Sequence, residues 1–271
     1  MKVAIAGAAG RMGKQVIKEI QDTGEMYISV ALDNNSSVLG KDAGEIAGIG
    51  KIGVNIEDHL LPEKFDLLID FTMPAATLKH IEICRQFKKK MIIGTTGFNN
   101  ESFIKILKLA SHDIAIVYTV NFSIGINLML MLLEHTTRIL GEKSDIEIME
   151  IHHRHKKDTP SGTSLVMGQL IASTLGSNLK ECAFFSRNRN HSEEKKKIKF
   201  SSLRSGDIIG EHTVIFLTPE GEQIEIIHKA YNRRIFANGV LQAAKWIKGK
   251  VPGLYNMRDV VKIKYKNPCC S

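Results

Sequence analysis

No stretch of about 18 consecutive apolar residues occurs anywhere in the 271-residue chain, so no segment reads as an ordinary membrane-spanning helix. The best candidate, Ile124–Leu133, is interrupted by Asn127 and stopped by Glu134 and His135. A secretory signal layout is missing too, because Val3-Ala4-Ile5-Ala6 enters a strand pattern at once. The four cysteines (Cys84, Cys182, Cys269, Cys270) contain no CxxC pair, and the expectation is a cytoplasmic protein with reduced thiols. Aromatic residues are scarce, at 6%, and none is interleaved with the lysine runs 88–90 and 195–197. Those runs read as a solvated face and a polar loop, so neither nucleic acid nor a membrane surface is an expected partner despite the net charge of +8. There is no internal repeat and no low-complexity segment. What remains is an ordinary globular composition, 43% hydrophobic and 24% charged, long enough for one large domain or two modest ones.

The first 120 residues alternate short β-branched runs with helical patterns. Strands are expected at 2–6, 27–32, 66–71, 91–93 and 114–118, and helices at 12–21, 75–87 and 101–110. Continuous apolar strands alternating with helices predict a parallel sheet covered on both faces. After Asn121 the pattern changes. A long apolar helix (126–140), a strand (145–151), a charged loop and a helix (163–175) are followed by strands at 198–203, 213–217 and 223–228, then a helix at 238–247. The expected fold class is α/β: a Rossmann-type parallel-sheet domain plus an α+β domain whose open mixed sheet invites subunit pairing.

Three segments carry chemistry. Gly7-Ala8-Ala9-Gly10-Arg11-Met12-Gly13 lies between the first strand and the first helix, where backbone N–H groups and a helix N-terminus suit a pyrophosphate. Its spacing is GxxGxxG, looser than GxGxxG. Asp33, at the end of the second strand, is placed to accept the hydroxyls of an adenosine ribose. Two further loops, Gly94-Thr95-Thr96-Gly97 and Thr119-Val120-Asn121-Phe122, follow strands of the same sheet and line the same rim. The densest segment is Glu150-Ile151-His152-His153-Arg154-His155-Lys156-Lys157-Asp158-Thr159-Pro160-Ser161-Gly162-Thr163. It runs from a strand through a cationic loop into a helix whose first N–H groups suit a carboxylate, with His and Lys alongside for charge and protons. A metal held by His152, His153 and His155 is the competing reading. Adjacent histidines on an extended backbone point to opposite faces and the surrounding Arg and Lys repel a cation, so no metal is expected.

The Glu150–Thr163 and Gly7–Gly13 segments closely resemble the 4-hydroxy-tetrahydrodipicolinate reductase (dihydrodipicolinate reductase) family. The likeness continues through 69–72, 94–98, 121–125, 204–212 and 236–239, nearly the whole chain. It implies hydride transfer from NADH or NADPH to a cyclic imine dicarboxylate, with loss of water, in diaminopimelate and lysine synthesis. By the same resemblance His152 is the acid/base and Lys156 the proton donor, with the division of protons between them left open. His153, Ser161, Gly162, Thr163 and Arg233 face the substrate. Gly7, Ala8, Ala9, Gly10, Arg11, Met12, Asp33, Gly94, Thr95, Thr96, Thr119, Val120, Asn121 and Phe122 contact the cofactor. Some members carry Arg directly after the acidic ribose residue. Here Asn34 stands there, so NADH is the expected preference, with NADPH use retained. The resemblance further implies a dinucleotide-binding domain of residues 1–122 with 235–271, a substrate-binding domain of 123–234, and a homotetramer built on the latter's sheet. The alternative function is a catalytically silent NAD(P)-binding redox regulator, which would lack a complete acid/base loop.

Overall fold

The computed structural model describes residues 1–98, 100–185 and 198–261. The lysine run 195–197 and Cys269 and Cys270 lie outside them. The chain divides into two units, Met1–Ile124 with the segment from Arg234 onward, and Gly125–Arg233.

In the first unit β1 (Lys2–Ala6), β2 (Tyr27–Leu32), β4 (Leu67–Asp70), β5 (Lys90–Ile93) and β6 (Ala115–Tyr118) are the strands expected from apolar runs, and their interiors are buried. Two short strands join them, β3 (Ile56–Glu57) and β12 (Gly253–Tyr255). The sheet order is β12-β6-β5-β4-β1-β2-β3, and every pairing is parallel. Side chains alternate along β1. Val3 and Ile5 enter a core with Val16, Ile17 and Ile20 of α1 (Arg11–Thr23) and Val240, Leu241 and Ala244 of α8 (Arg234–Ile247). Ala4 and Ala6 enter the opposite core with Ile81 and Cys84 of α3 (Pro74–Gln86) and Phe103 and Leu107 of α4 (Asn100–Ala110). A strand buried on both faces has no polar phase, hence the unbroken apolar runs. The strand order reverses between β1 and β4, so the loops leaving their carboxyl ends lie side by side, the usual ligand crevice of such sheets. The lysine run 88–90 is less solvated than expected. Lys88 pairs with Asp113 at 2.8 Å, and Lys90 Nζ donates to the carbonyl of Ile247 at the end of α8 and to those of Lys248 and Lys250 just beyond it.

The second unit has the mixed sheet β11-β10-β7-β9-β8, formed by β7 (Asp145–His152), β8 (Ala183–Phe185), β9 (Ile198–Arg204), β10 (Gly210–Leu217) and β11 (Gln223–Ala230). β7 pairs antiparallel with β10 and parallel with β9. Along β7 the burial alternates. Ile146, Ile148, Glu150 and His152 face the side covered by α5 (Ile124–Leu140) and α6 (Gly162–Thr174), whose Met129, Leu133, Met167 and Ile171 complete this core. No described helix is long and apolar enough to cross a membrane.

Candidate active site

The glycine loop is held against β2: the N–H groups of Gly7 and Ala8 both donate to the Leu32 carbonyl, at 2.9 and 3.0 Å. Gly7 has φ 79°, and a Cβ there would stand 2.6 Å from the Phe71 carbonyl oxygen leaving β4. At Gly13 a Cβ would meet the Gly7 carbonyl oxygen at 2.1 Å, so only glycine lets α1 begin this close to the loop. No acidic side chain occupies the first turn of α1, and its N-cap Gly10 makes no side-chain cap, so the dipole there suits an anionic ligand. Asp33 accepts from Ala9 N–H at 2.9 Å and from Asn35 N–H at 3.1 Å, which fixes its carboxylate at the rim of the loop. Asn34 and Arg11 are exposed beside it, and Met12 is half-buried. Together these residues form a cradle that fits a dinucleotide.

The other two loops are braced from below. Fully buried Asp70 accepts from Thr72 Oγ1 (2.6 Å), Thr72 N–H (2.9 Å) and Thr95 Oγ1 (3.2 Å), and His80 Nδ1 lies 2.8 Å away. The Thr95 hydroxyl is therefore turned inward, while Thr96 after it is exposed. Gly94 closes β5 beside Phe71, whose ring meets that of Phe122 edge-on at 5.7 Å. Thr119 accepts from Asn121 N–H and donates to the Asn121 carbonyl, while Val120 is exposed.

In the second unit a buried polar cluster gathers around Glu150. Strand register places His212 of β10 opposite it on one side and Ser202 of β9 on the other, with Arg204 opposite His152. The Glu150 carboxylate accepts from Ser161 N–H (3.0 Å), Ser164 Oγ (2.9 Å) and Arg204 Nη2 (2.9 Å). Burial pushes its pKa up, but hydrogen bonds from Ser161, Arg204, Ser202 and Ser164 outweigh that and bring it down to about 2. Arg204 Nη2 also reaches the Asp158 carbonyl (2.5 Å) and Thr159 Oγ1 (3.1 Å), tying the cationic loop to β9.

His152, the last residue of β7, is 7% exposed, and its Nδ1 stands 3.4 Å from Glu150 Oε2 without forming a hydrogen bond. Burial lowers its pKa to about 4, with Lys156 and Arg204 adding to the effect and the Glu150 carboxylate opposing it. His212 is driven to about 3, first by burial and then by His152. The oxygens and nitrogens of Glu150, His152 and His212 come within 4.8 Å of one another, yet the set fits a cation poorly. Glu150 is already saturated by donors, one of them the Arg204 guanidinium.

Glu150, Arg204 and His212 lie in the segments that carry the family resemblance, but the sequence assigns them no role at the site. The signal was a charged residue in the inward phase of an alternating strand. Ser161, expected at the substrate, spends its N–H on Glu150 and its hydroxyl on the Ser164 N–H as the α6 N-cap, while Gly162 after it is exposed and Thr163 half-buried. His153 is half-buried on the loop, its ring 6.4 Å from that of His155. Lys156 Nζ is 2.9 Å from Asp158 Oδ1. Arg233 is half-buried at the crossing before α8, outside this hydrogen-bonded set.

Two buried histidines held neutral have a stability consequence. Their pKa values are depressed, so below about 6.5 the unfolded chain binds protons that the folded chain refuses. Stability is full above about 6.5 and falls as pH drops toward 4, by up to about 1.4 kcal/mol per pH unit for each histidine. The urea midpoint should be lower at pH 5 than at pH 7, and His212→Gln should flatten the difference. Equal slopes in wild type and variant would show that His212 takes no part.

The profile of dihydrodipicolinate reductase, N-terminus, matches residues 1–122, and that of dihydrodipicolinate reductase, C-terminus, matches 125–261. Among solved structures, dipicolinate-bound dihydrodipicolinate reductase from Paenisporosarcina sp. TG-14 aligns with a TM-score of 0.70 at 25% identity, over 94% of this chain and 97% of that one. GenD2 from gentamicin A biosynthesis, in complex with NAD, aligns with a TM-score of 0.63 at 11% identity, over 96% and 90%. A probable dehydrogenase from Thermotoga maritima gives 0.61 at 11%, over 96% and 92%. At such identities the last two show the fold alone.

Proposed function

The chain belongs to the dihydrodipicolinate reductase family, and from that premise we propose how its own residues divide the work. It is an NAD(P)H-dependent oxidoreductase that reduces 4-hydroxy-tetrahydrodipicolinate to tetrahydrodipicolinate, with loss of water, in diaminopimelate and lysine biosynthesis. The cradle of Gly7–Met12, Asp33, Gly94–Thr96 and Thr119–Phe122 holds the cofactor. Reduced nicotinamide, when bound, supplies the hydride. Loss of the ring hydroxyl together with a proton from the adjacent carbon releases water and leaves a conjugated imine. Hydride addition to the carbon that carried the hydroxyl then gives an enamine, which needs a proton on the neighbouring carbon. Lys156 delivers that proton. His152, neutral near pH 7 because burial holds its pKa near 4, instead orients the ring by hydrogen bonding. The N–H groups of Gly162 and Thr163 at the start of α6 take one carboxylate, with His153 and Arg233 as further contacts. The dipicolinate bound to the Paenisporosarcina enzyme supports a cyclic dicarboxylate as ligand here.

The observation that carries this reading is the meeting, on one loop of the second unit, of His152, Lys156 and an α6 N-terminus with no acidic residue in its first turn. A coupled assay with freshly prepared substrate, following oxidation of NADH and NADPH separately, tests it. Binding of both nucleotides without turnover would instead mark a silent regulator.

NADH is the proposed preferred cofactor. The Asp33 carboxylate suits two ribose hydroxyls and repels a 2′-phosphate, and exposed Asn34 adds no compensating charge. Asn34→Arg should raise kcat/KM for NADPH relative to NADH by about tenfold, roughly 1.4 kcal/mol, since an exposed phosphate contact is partly screened. An unchanged ratio would put the ribose elsewhere or assign the phosphate to Arg11.

The homotetramer is proposed on the uncovered face of the second sheet. Met149, Leu203, Leu217 and Ile227 are 41–55% exposed in its outward phase, a row of apolar side chains that pairing would bury. Sedimentation at micromolar concentration decides this. A cytoplasmic location accords with the unbridged Cys84 and Cys182.

A further inference from the structure

Asp158 is a carboxylate of the cationic loop to which the mechanism above gives no part. Its Oδ1 is 2.9 Å from Lys156 Nζ. Burial pushes its pKa up, but Lys156 outweighs that and holds it below the usual carboxylate range, with the N–H of Gly162, the first residue of α6, a smaller help. These are two of the donors assigned to the substrate. The acid is the more exposed partner, its side chain 54% accessible against 22% for Lys156, so it lies on the solvent side of the pair. Its main chain is separately anchored, because Arg204, fixed on Glu150, donates to the Asp158 carbonyl and to Thr159 Oγ1. The side chain can therefore rotate away while the loop stays in place.

We propose that Asp158 is an internal stand-in for a substrate carboxylate: in the unliganded enzyme it occupies Lys156 and the start of α6, and an incoming dicarboxylate displaces it. The proposal rests on the reading that Lys156, Gly162 and Thr163 receive the substrate. Its function is positional. A like-charged occupant keeps the Lys156 ammonium aimed into the subsite before substrate arrives, at the expense of some affinity, since every binding event first breaks the internal pair. A brace or helix cap with no such competition would only lose stability when neutralised.

The test is competitive inhibition by pyridine-2,6-dicarboxylate in the presence of NADH, comparing wild type with Asp158→Asn. With the competitor neutralised, the inhibition constant should fall by about threefold to fivefold, the scale of a partly exposed ion pair, and KM should change more than kcat. A thermal melt confirms that the variant is folded. If it is not, Asp158→Ser, a smaller neutral side chain that keeps one oxygen, serves for the same comparison. Unchanged or weaker inhibition in a folded variant overturns the stand-in and leaves the site reading intact. Failure of pyridine-2,6-dicarboxylate to compete with substrate in the wild type removes both.

Discussion

Replacing Lys156 with alanine is expected to lower kcat by about 10²–10³-fold while leaving the Kd for NADH nearly unchanged, because a positioned proton donor contributes on that scale. The selectivity follows from location. Lys156 belongs to the loop after β7 in the second unit, whereas the glycine loop, Asp33 and the Gly94–Thr96 turn belong to the first. His152→Ala should cost less in kcat, since a histidine held near pKa 4 by burial is neutral at the working pH and has no ammonium-like proton to give. It should raise KM through lost orientation. Steady-state rates and nucleotide titration on folded protein check both. Wild-type turnover in Lys156→Ala would remove it from the chemistry, and equal losses in the two variants would make them a joint proton relay.

Glu150→Ala should be strongly destabilising, at about 3–5 kcal/mol, because it removes one side of a buried charge pair and leaves the other uncompensated. Arg204 would lose its carboxylate, and the buried Ser161 N–H and Ser164 hydroxyl would lose their acceptor. The cationic loop depends on the same pair, through the bonds from Arg204 to Asp158 and Thr159. Urea unfolding at pH 7 measures the loss. A value under about 1 kcal/mol would mean that water replaces the carboxylate and that the cluster is far less closed than its burial indicates.

Much of the fold was legible because it is written in periodicity. β1, β4 and β5 are apolar in both phases, and α1 carries Val16, Ile17 and Ile20 on one side. The elements that escaped are short. α2 (Ala43–Ala47) is a single capped turn beneath Asp42, and β3, β8 and β12 have two or three residues, too few to display any period. α8 starts a turn earlier than expected, at Arg234, whose guanidinium pairs with buried Glu19 of α1. That partner is distant in sequence, so no local pattern announces it. The same limit governs the site. The loop of His152, Lys156, Gly162 and Thr163 is contiguous and could be read directly. The cluster beneath it exists only once β10 and β9 register against β7, bringing His212 beside Glu150 and Arg204 beside His152. Which hydroxyls turn inward, as those of Thr95 and Ser161 do, is also settled by neighbours rather than by residue type.

The order in which the first unit receives its strands bears on how the chain is made. β12 pairs with β6 through Leu254 and Ile116, and α8 supplies Val240, Leu241 and Ala244 to the core against α1. Both come after the whole of Gly125–Arg233. During synthesis β6 therefore stays an open edge, and one face of α1 stays uncovered, until the ribosome has passed Tyr255. The inserted unit is complete by Arg233 and has its own core. Once folded, it replaces a long flexible loop with a compact bridge and so reduces the entropy of bringing α8 and β12 back to the sheet. The nascent nucleotide domain thus waits on the segment that interrupts it.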